Sequence, residues 1–153
     1  MLLCSLFVMA SCLTQEVCDD NSQSELVARF KTVVSEIVSD TIISGVTIYG
    51  IREGRPDSLL YDSSESSRVV IPLDPNHNYS RFVMKIDEVT DTLTLVHNTG
   101  LYLVSYNCGY GAIFTLDPDS IVHGKKLFYD IEIKNAVIDA AMEQNEEHLW
   151  LYF

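Results

Sequence analysis

A two-residue rhythm constrains this chain more than any other feature. Leu26, Ala28, Phe30, Thr32 and Val34 alternate with Val27, Arg29, Lys31 and Val33. Such alternation, rich in β-branched residues, is the pattern of a strand with one face buried and one in water. Ser39-Asp40 breaks the run, and Ile43 to Ile51 restarts it. Glu53-Gly-Arg-Pro-Asp57 then reads as a turn from its Gly and Pro content. A short strand follows at Ser58 to Tyr61, then a serine-rich loop from Asp62 to Ser67. Val69 to Leu73 is apolar but carries Pro72, which lacks a ladder donor and so places this strand at a sheet edge. Asp74-Pro-Asn-His-Asn78 is turn chemistry again.

Downstream, Tyr79 to Ile86 and Thr92 to His97 flank a short loop, Asp87 to Asp91, as a hairpin. Asn98-Thr-Gly100 reads as a tight turn into Leu101 to Cys108. Gly109 to Gly111 interrupts as a bulge or backbone bend, and Ala112 to Leu116 resumes the strand. Asp117-Pro-Asp-Ser120 is expected to turn the chain, before an alternating strand from Lys126 to Lys134. Ala136 to Asn145 is a turn or a single helical turn, and His148 to Phe153 is a closing strand. About nine or ten strands at short intervals, with little or no helix and no βαβ rhythm, predict an all-β fold. The expected architecture is an antiparallel sandwich, immunoglobulin-like or related, over residues 25–153.

The first residues read differently. Leu2 to Val8 is an apolar run, followed by small residues Ala10 and Ser11 and then Cys12. This is the order of a secretory leader ending in a lipidation box, with residues 1–11 as signal peptide and Cys12 as the acylated first mature residue. The basic n-region of such a leader is missing, which suggests a start placed too late. The run is much shorter than the roughly 20 residues of a membrane-crossing helix. Residues 12–24 are polar and are expected to act as a tether. The expected location is the cell envelope, on the outer membrane, held through the lipid on Cys12.

The net charge is −12. That argues against nucleic acid, whose phosphates need Lys and Arg, and against a polybasic membrane-binding face. Cys4 leaves with the leader and Cys12 takes the lipid. Cys18 and Cys108 remain as an even pair in an oxidising compartment, for which a disulfide is the default. Cys108 as a nucleophile would need a nearby base, and Ser105-Tyr-Asn-Cys-Gly-Tyr-Gly111 supplies none.

Other chemistry is sparse. His77, His97, His123 and His148 lack local zinc spacing. Asp117-Pro-Asp119 and Asp19-Asp20 lack the ligand run of a calcium loop. There is no Gly-x-Ser-x-Gly elbow, and Gly109-Tyr-Gly111 lacks a nucleotide-binding fingerprint. No metal, cofactor or catalytic residue is assigned.

Thr90-Asp-Thr-Leu-Thr-Leu95, Leu101-Tyr-Leu-Val-Ser-Tyr-Asn-Cys-Gly109 and Asn145-Glu-Glu-His-Leu-Trp-Leu-Tyr-Phe153, in that order, resemble an uncharacterised family of small lipoproteins from Gram-negative gut and environmental bacteria. Cys18, Asp57-Ser-Leu59 and Ile71-Pro-Leu73 follow the same pattern. The resemblance implies a cell-envelope address and the pairing of Cys18 with Cys108. It implies no activity. The leading expectation is therefore a non-enzymatic binding or accessory module with an envelope protein as its possible partner. The rivals are a barrel-type carrier of a small apolar ligand, which needs an enclosed cavity, and a hydrolase with dispersed acidic residues.

Overall fold

Inward parity decides the architecture. Leu26, Ala28 and Phe30 on one strand, Phe82 and Met84 on another, Leu93 and Leu95, and Leu149 and Leu151 are all buried in one cluster. A computed structural model of the chain describes residues 24–140 and 146–153. These residues form β1 (Glu25–Val34), β2 (Ile37–Asp40), β3 (Ile43–Ile51), β4 (Ser58–Ser66), β5 (Arg68–Pro72), β6 (Tyr79–Ile86) and β7 (Val89–Ser105). β8 (Gly109–His123), β9 (Asp130–Ile133), β10 (Val137–Ile138) and β11 (Leu149–Tyr152) complete the set. No helix occurs among the described residues.

The strands make two open sheets that share the core, an all-β sandwich and not a closed barrel. One sheet runs β2-β1-β11-β9, with β5 on the same edge of β1 as β2; the other runs β10-β8-β7-β6-β3-β4. The barrel expected of a carrier is thereby corrected. Among the described residues β5 has a ladder partner on one side, β1, the edge place that Pro72 implied. Among the described residues all pairings are antiparallel except β1 with β11, which run parallel (Ala28 opposite Leu149).

Several local expectations are corrected. Eleven strands form among the described residues, against about nine or ten expected. Ser39-Asp40 does not end a run but lies in β2, because β1 folds back through Ser35-Glu36. Both residues there have positive φ, 53° and 68°. That is the turn whose twist matches a two-residue hairpin, here built from residues that dislike it. Replacing the pair with Asn-Gly (Ser35→Asn with Glu36→Gly) is expected to stabilise the protein by about 1 kcal/mol, seen as a Tm rise of about 3 °C.

Asp62–Ser67 is mostly strand: β4 continues to Ser66 with register shifts against β3, Ser63 taking φ of 45°. Asn98-Thr-Gly100 is not a turn either. β7 runs straight through it, paired with Thr115, Phe114 and Ile113 of β8. Asp117–Ser120 does form its local turn, with Asp117 accepting from the Asp119 amide and the Ser120 hydroxyl. The chain does not reverse there: Leu95 pairs with Ile121 and His97 with Leu116, so the stretch loops out as a bulge opposite Val96. Of the possible helical turn at 136–145, residues 137–138 are β10 and 141–145 lie outside the described residues.

The outer face of the smaller sheet is polar but closed. The Lys31 and Lys134 ammonium groups lie 4.1 and 4.0 Å from the Trp150 ring centroid, on a ring that donates to Glu147. Lys31 and Arg29 both pair with Asp40 and Glu147. Mutual partners thus account for a lysine that is only 6% exposed in mid-strand.

Candidate functional site

Because β3 and β5 end where β4 and β6 begin, their connections gather at one pole of the sandwich. There they bound an open groove of about 560 Å³. Ile51, Leu60, Leu73 and Phe82 give it an apolar floor. Arg52, Arg55 and Arg81 stand around it, with Glu53, Asp74 and His77.

Each acid of the groove is already engaged, and not by an arginine. Tyr79 donates its hydroxyl to Glu53, which pushes the Tyr79 phenol up. Asp74 accepts from the Asn76 amide and lies 2.8 Å from His77 Nδ1. Partial burial would raise the Asp74 carboxyl, but these neighbours outweigh it and hold it low. Arg81 lies 5.5 Å from the Tyr79 ring centroid. Among the described residues, none of the three arginines has a carboxylate partner. In a chain of net charge −12 with only ten basic residues, three arginines that have no carboxylate partner among the described residues line one concavity. Such a site suits an anion with an apolar portion.

The inner wall holds a serine–histidine pair. Ser80 Oγ is 2.9 Å from His97 Nε2 and accepts the Asp74 amide at 2.8 Å. On its other side His97 Nδ1 faces the Thr99 hydroxyl at 3.5 Å, and the ring packs edge-on to Phe114 at 5.0 Å. In a Ser-His-Asp triad a carboxylate on that second nitrogen holds the tautomer and stabilises the imidazolium. The Thr99 hydroxyl carries no charge with which to stabilise an imidazolium. Burial lowers the His97 pKa, with the Asp74 charge opposing it only in part. The pair, with the Asp74 amide on Ser80, ties the base of β6 and β7 to the corner at Asp74.

The remaining predicted residues are scattered. Cys12, Cys18 and Asp19-Asp20 lie outside the described residues. Cys108 sits in the turn between β7 and β8, its amide donating to Ser105 Oγ at 3.1 Å. His148 is buried at the start of β11, its Nδ1 accepting the Val27 amide at 2.9 Å. His123 is at the far end of β8 and His77 on the groove rim. No three His, Cys, Asp or Glu side chains converge as metal ligands among the described residues.

Little in the linear chain marks the groove, the Ser80–His97 pair or Asp91, whose carboxylate accepts four backbone amides. One signal was present: His97 continues the inward parity of Leu93 and Leu95. The class these features define is an all-β sandwich with a cationic groove at one pole. Residues 45–153 match DUF6452, a family of unknown function, and the chain belongs to that family. No curated protein and no solved structure matches it. The groove, the Ser80–His97 pair and Cys108 all fall within the matched span.

Proposed function

We propose that this protein is a lipid-anchored, non-enzymatic binding module of the cell envelope, taking an anionic ligand or the acidic side chain of an envelope partner in the groove. One observation carries the binding reading: among the described residues Arg52, Arg55 and Arg81 have no carboxylate partner, around one concavity of a strongly acidic chain. The non-enzymatic reading draws support from Ser80 and His97, whose geometry serves packing and lacks an orienting acid. The anchor is the acyl group on Cys12, and a Cys18–Cys108 disulfide staples the tether to the domain. Reach supports that staple. Ser24 is hydrogen-bonded to Ala112. Cys18 lies within about 20 Å of chain from Ser24, and Ala112 about 13 Å along the strand from Cys108.

In-cell crosslinking followed by mass spectrometry is expected to recover one stoichiometric envelope partner or anionic ligand. The capture should be lost in the Arg52→Ala, Arg55→Ala, Arg81→Ala triple variant, and undiminished capture by that variant would overturn the groove reading. Separately, Cys12→Ala is expected to move the protein from the membrane to the soluble fraction. Non-reducing peptide maps should join Cys18 to Cys108. Persistent membrane association, or two free thiols, would count against the anchor and the staple respectively.

A further inference from the structure

We propose that the far end of the β7–β8 hairpin is a membrane-contact surface, seated in the interfacial layer of the bilayer that holds the lipid on Cys12; this rests on the anchor reading above. The hairpin is an overhanging arm. β6 follows β7 only as far as Val96, opposite Tyr79, and β10 pairs β8 only at Thr115 and Phe114. Beyond those points the two strands pair with each other alone among the described residues, out to the turn at Cys108.

The arm has a distinct chemistry. From Thr92 to Leu116 there is no Asp, Glu, Lys or Arg, in a chain that is 21% charged. Its outer part shows water a set of apolar and aromatic side chains: Tyr106 is 97% exposed, Tyr110 72%, Leu101 70% and Leu103 47%. Tyrosine with leucine, and no charge, is the composition that settles at the boundary of headgroups and acyl chains. Across the ladder the Tyr102 ring occupies the space a Cβ would take on Gly111, 2.6 Å from its ideal position. That packing stiffens the arm as it projects.

The path of the chain singles out a bilayer over other partners. Ser24 donates its hydroxyl to the Ala112 carbonyl and accepts the Ala140 amide, and Ala112 stands opposite Leu101. The segment carrying Cys12 therefore enters the domain on the arm, not at the opposite pole. Twelve residues span at most about 40 Å, whereas the turn lies only about 15 Å beyond Ala112. A lipid on Cys12 thus brings this end of the molecule to the membrane. The acidic body is repelled by an anionic leaflet, and the uncharged arm is the part that can touch it. The groove, at the base of the arm, then stands clear of the headgroups and open to the envelope.

The test uses full-length lipidated protein in vesicles of phosphatidylethanolamine and phosphatidylglycerol with brominated acyl chains. Tyr106→Trp adds a reporter at the turn. Val122→Trp adds one at the other end of β8, where the side chain is 63% exposed. The parent, with Trp150 alone, supplies the background to subtract. Both variants replace exposed side chains and are expected to melt with the parent. The tryptophan introduced at the turn should shift to the blue and be quenched about twofold by the brominated lipid, while the one at the other end of β8 stays unquenched. A co-floating protein with no quenching at the turn overturns the inference and leaves the anchor standing. Failure to co-float overturns the anchor and the inference with it. A blue shift at the turn that grows with protein concentration in the absence of vesicles overturns it in favour of a second copy of this chain.

Discussion

Phe30→Ala is expected to destabilise the protein by about 4 kcal/mol, the upper range for a buried aromatic residue in a filled core. Phe30 is fully buried on the inward face of β1. It meets the Phe153 ring edge-on at 5.3 Å, and Phe153 meets Phe128 in the same manner at 4.9 Å. β1 is also the strand against which β2, β5 and β11 all pair, so a cavity beneath it loosens three ladders at once. Phe153 loses an aromatic neighbour although its amide still reaches the Lys31 carbonyl. Urea unfolding should show a lower midpoint at unchanged slope, with Tm reduced by roughly 12 °C. Leu59→Ala, at a side chain already half in water, is expected to stay within about 0.5 kcal/mol of the parent. A Phe30→Ala loss as small as that would mean the sandwich is not packed around β1.

The parts of the fold legible in sequence are those with one wet face and one dry face. In β1, β6, β7 and β11 a shift of one residue would turn the whole apolar set to solvent, so the alternation specifies both strand and face. What escaped is decided by neighbours distant in the chain. Asn98-Thr-Gly100 has turn composition, yet the ladder with β8 outweighs local preference and keeps it extended. Asp117–Ser120 has turn composition and does turn, but the long ladder resumes on both sides and reduces it to a bulge. Ser35-Glu36 carries no glycine or asparagine to announce its positive φ. Nothing in a single strand records whether its partner runs parallel, so the β1–β11 pairing was invisible too.

The same distinction governs the site. Glu53–Asp57 and Asp74–Asn78 read correctly as connections, but not as two walls of one groove, because one joins β3 to β4 within the larger sheet, the other crosses from β5 to β6 between sheets, and they meet only through the topology. Arg52, Arg55 and Arg81 are ordinary in the linear chain and acquire meaning from lining one groove and from having no carboxylate partner among the described residues. His97 could have been placed inside from its parity with Leu93 and Leu95. Its partner Ser80 could not, since a serine on an inward position carries no sign of what it bonds. The hairpin arm shows the reverse case. Its lack of charge is plain in the sequence, while its projection beyond β6 appears only in the register.

Asp91→Asn should cost about 3 kcal/mol and remove a distinctive part of the acid sensitivity. Asp91 is 4% exposed on β7, and its two carboxylate oxygens accept the backbone amides of Thr92, Gly124, Lys126 and Leu127 at 2.7–3.1 Å. Gly124 is required there, because any Cβ would collide with the carboxylate. Burial alone would raise this carboxyl, but the four amides outweigh it and hold it below the ordinary aspartate range. An asparagine keeps one oxygen and turns an N–H group toward donors, so some of these amides are left buried without acceptors. The segment leading into the buried Phe128 is then released.

The sign of the pH effect follows from the lowered carboxyl. The contribution of Asp91 is present above its unfolded value, near 4, and is lost as pH falls through the lower folded value. His97 and His148 act earlier. Burial holds both rings below the ordinary histidine value, the charges of Asp74 and Glu146 opposing it only in part. Their effect begins as pH drops below about 6.5, where the unfolded chain takes up protons that the folded chain refuses. Asp40, Asp74 and Glu132 are also held low, but their carboxylates face water and add little. Urea midpoints measured between about pH 8 and pH 2 should therefore fall in two steps in the parent. The Asp91→Asn variant should start lower, keep the histidine step and lose most of the decline below about pH 4. A variant that retains the full decline there would show that another buried carboxylate, and not this one, couples the fold to acid.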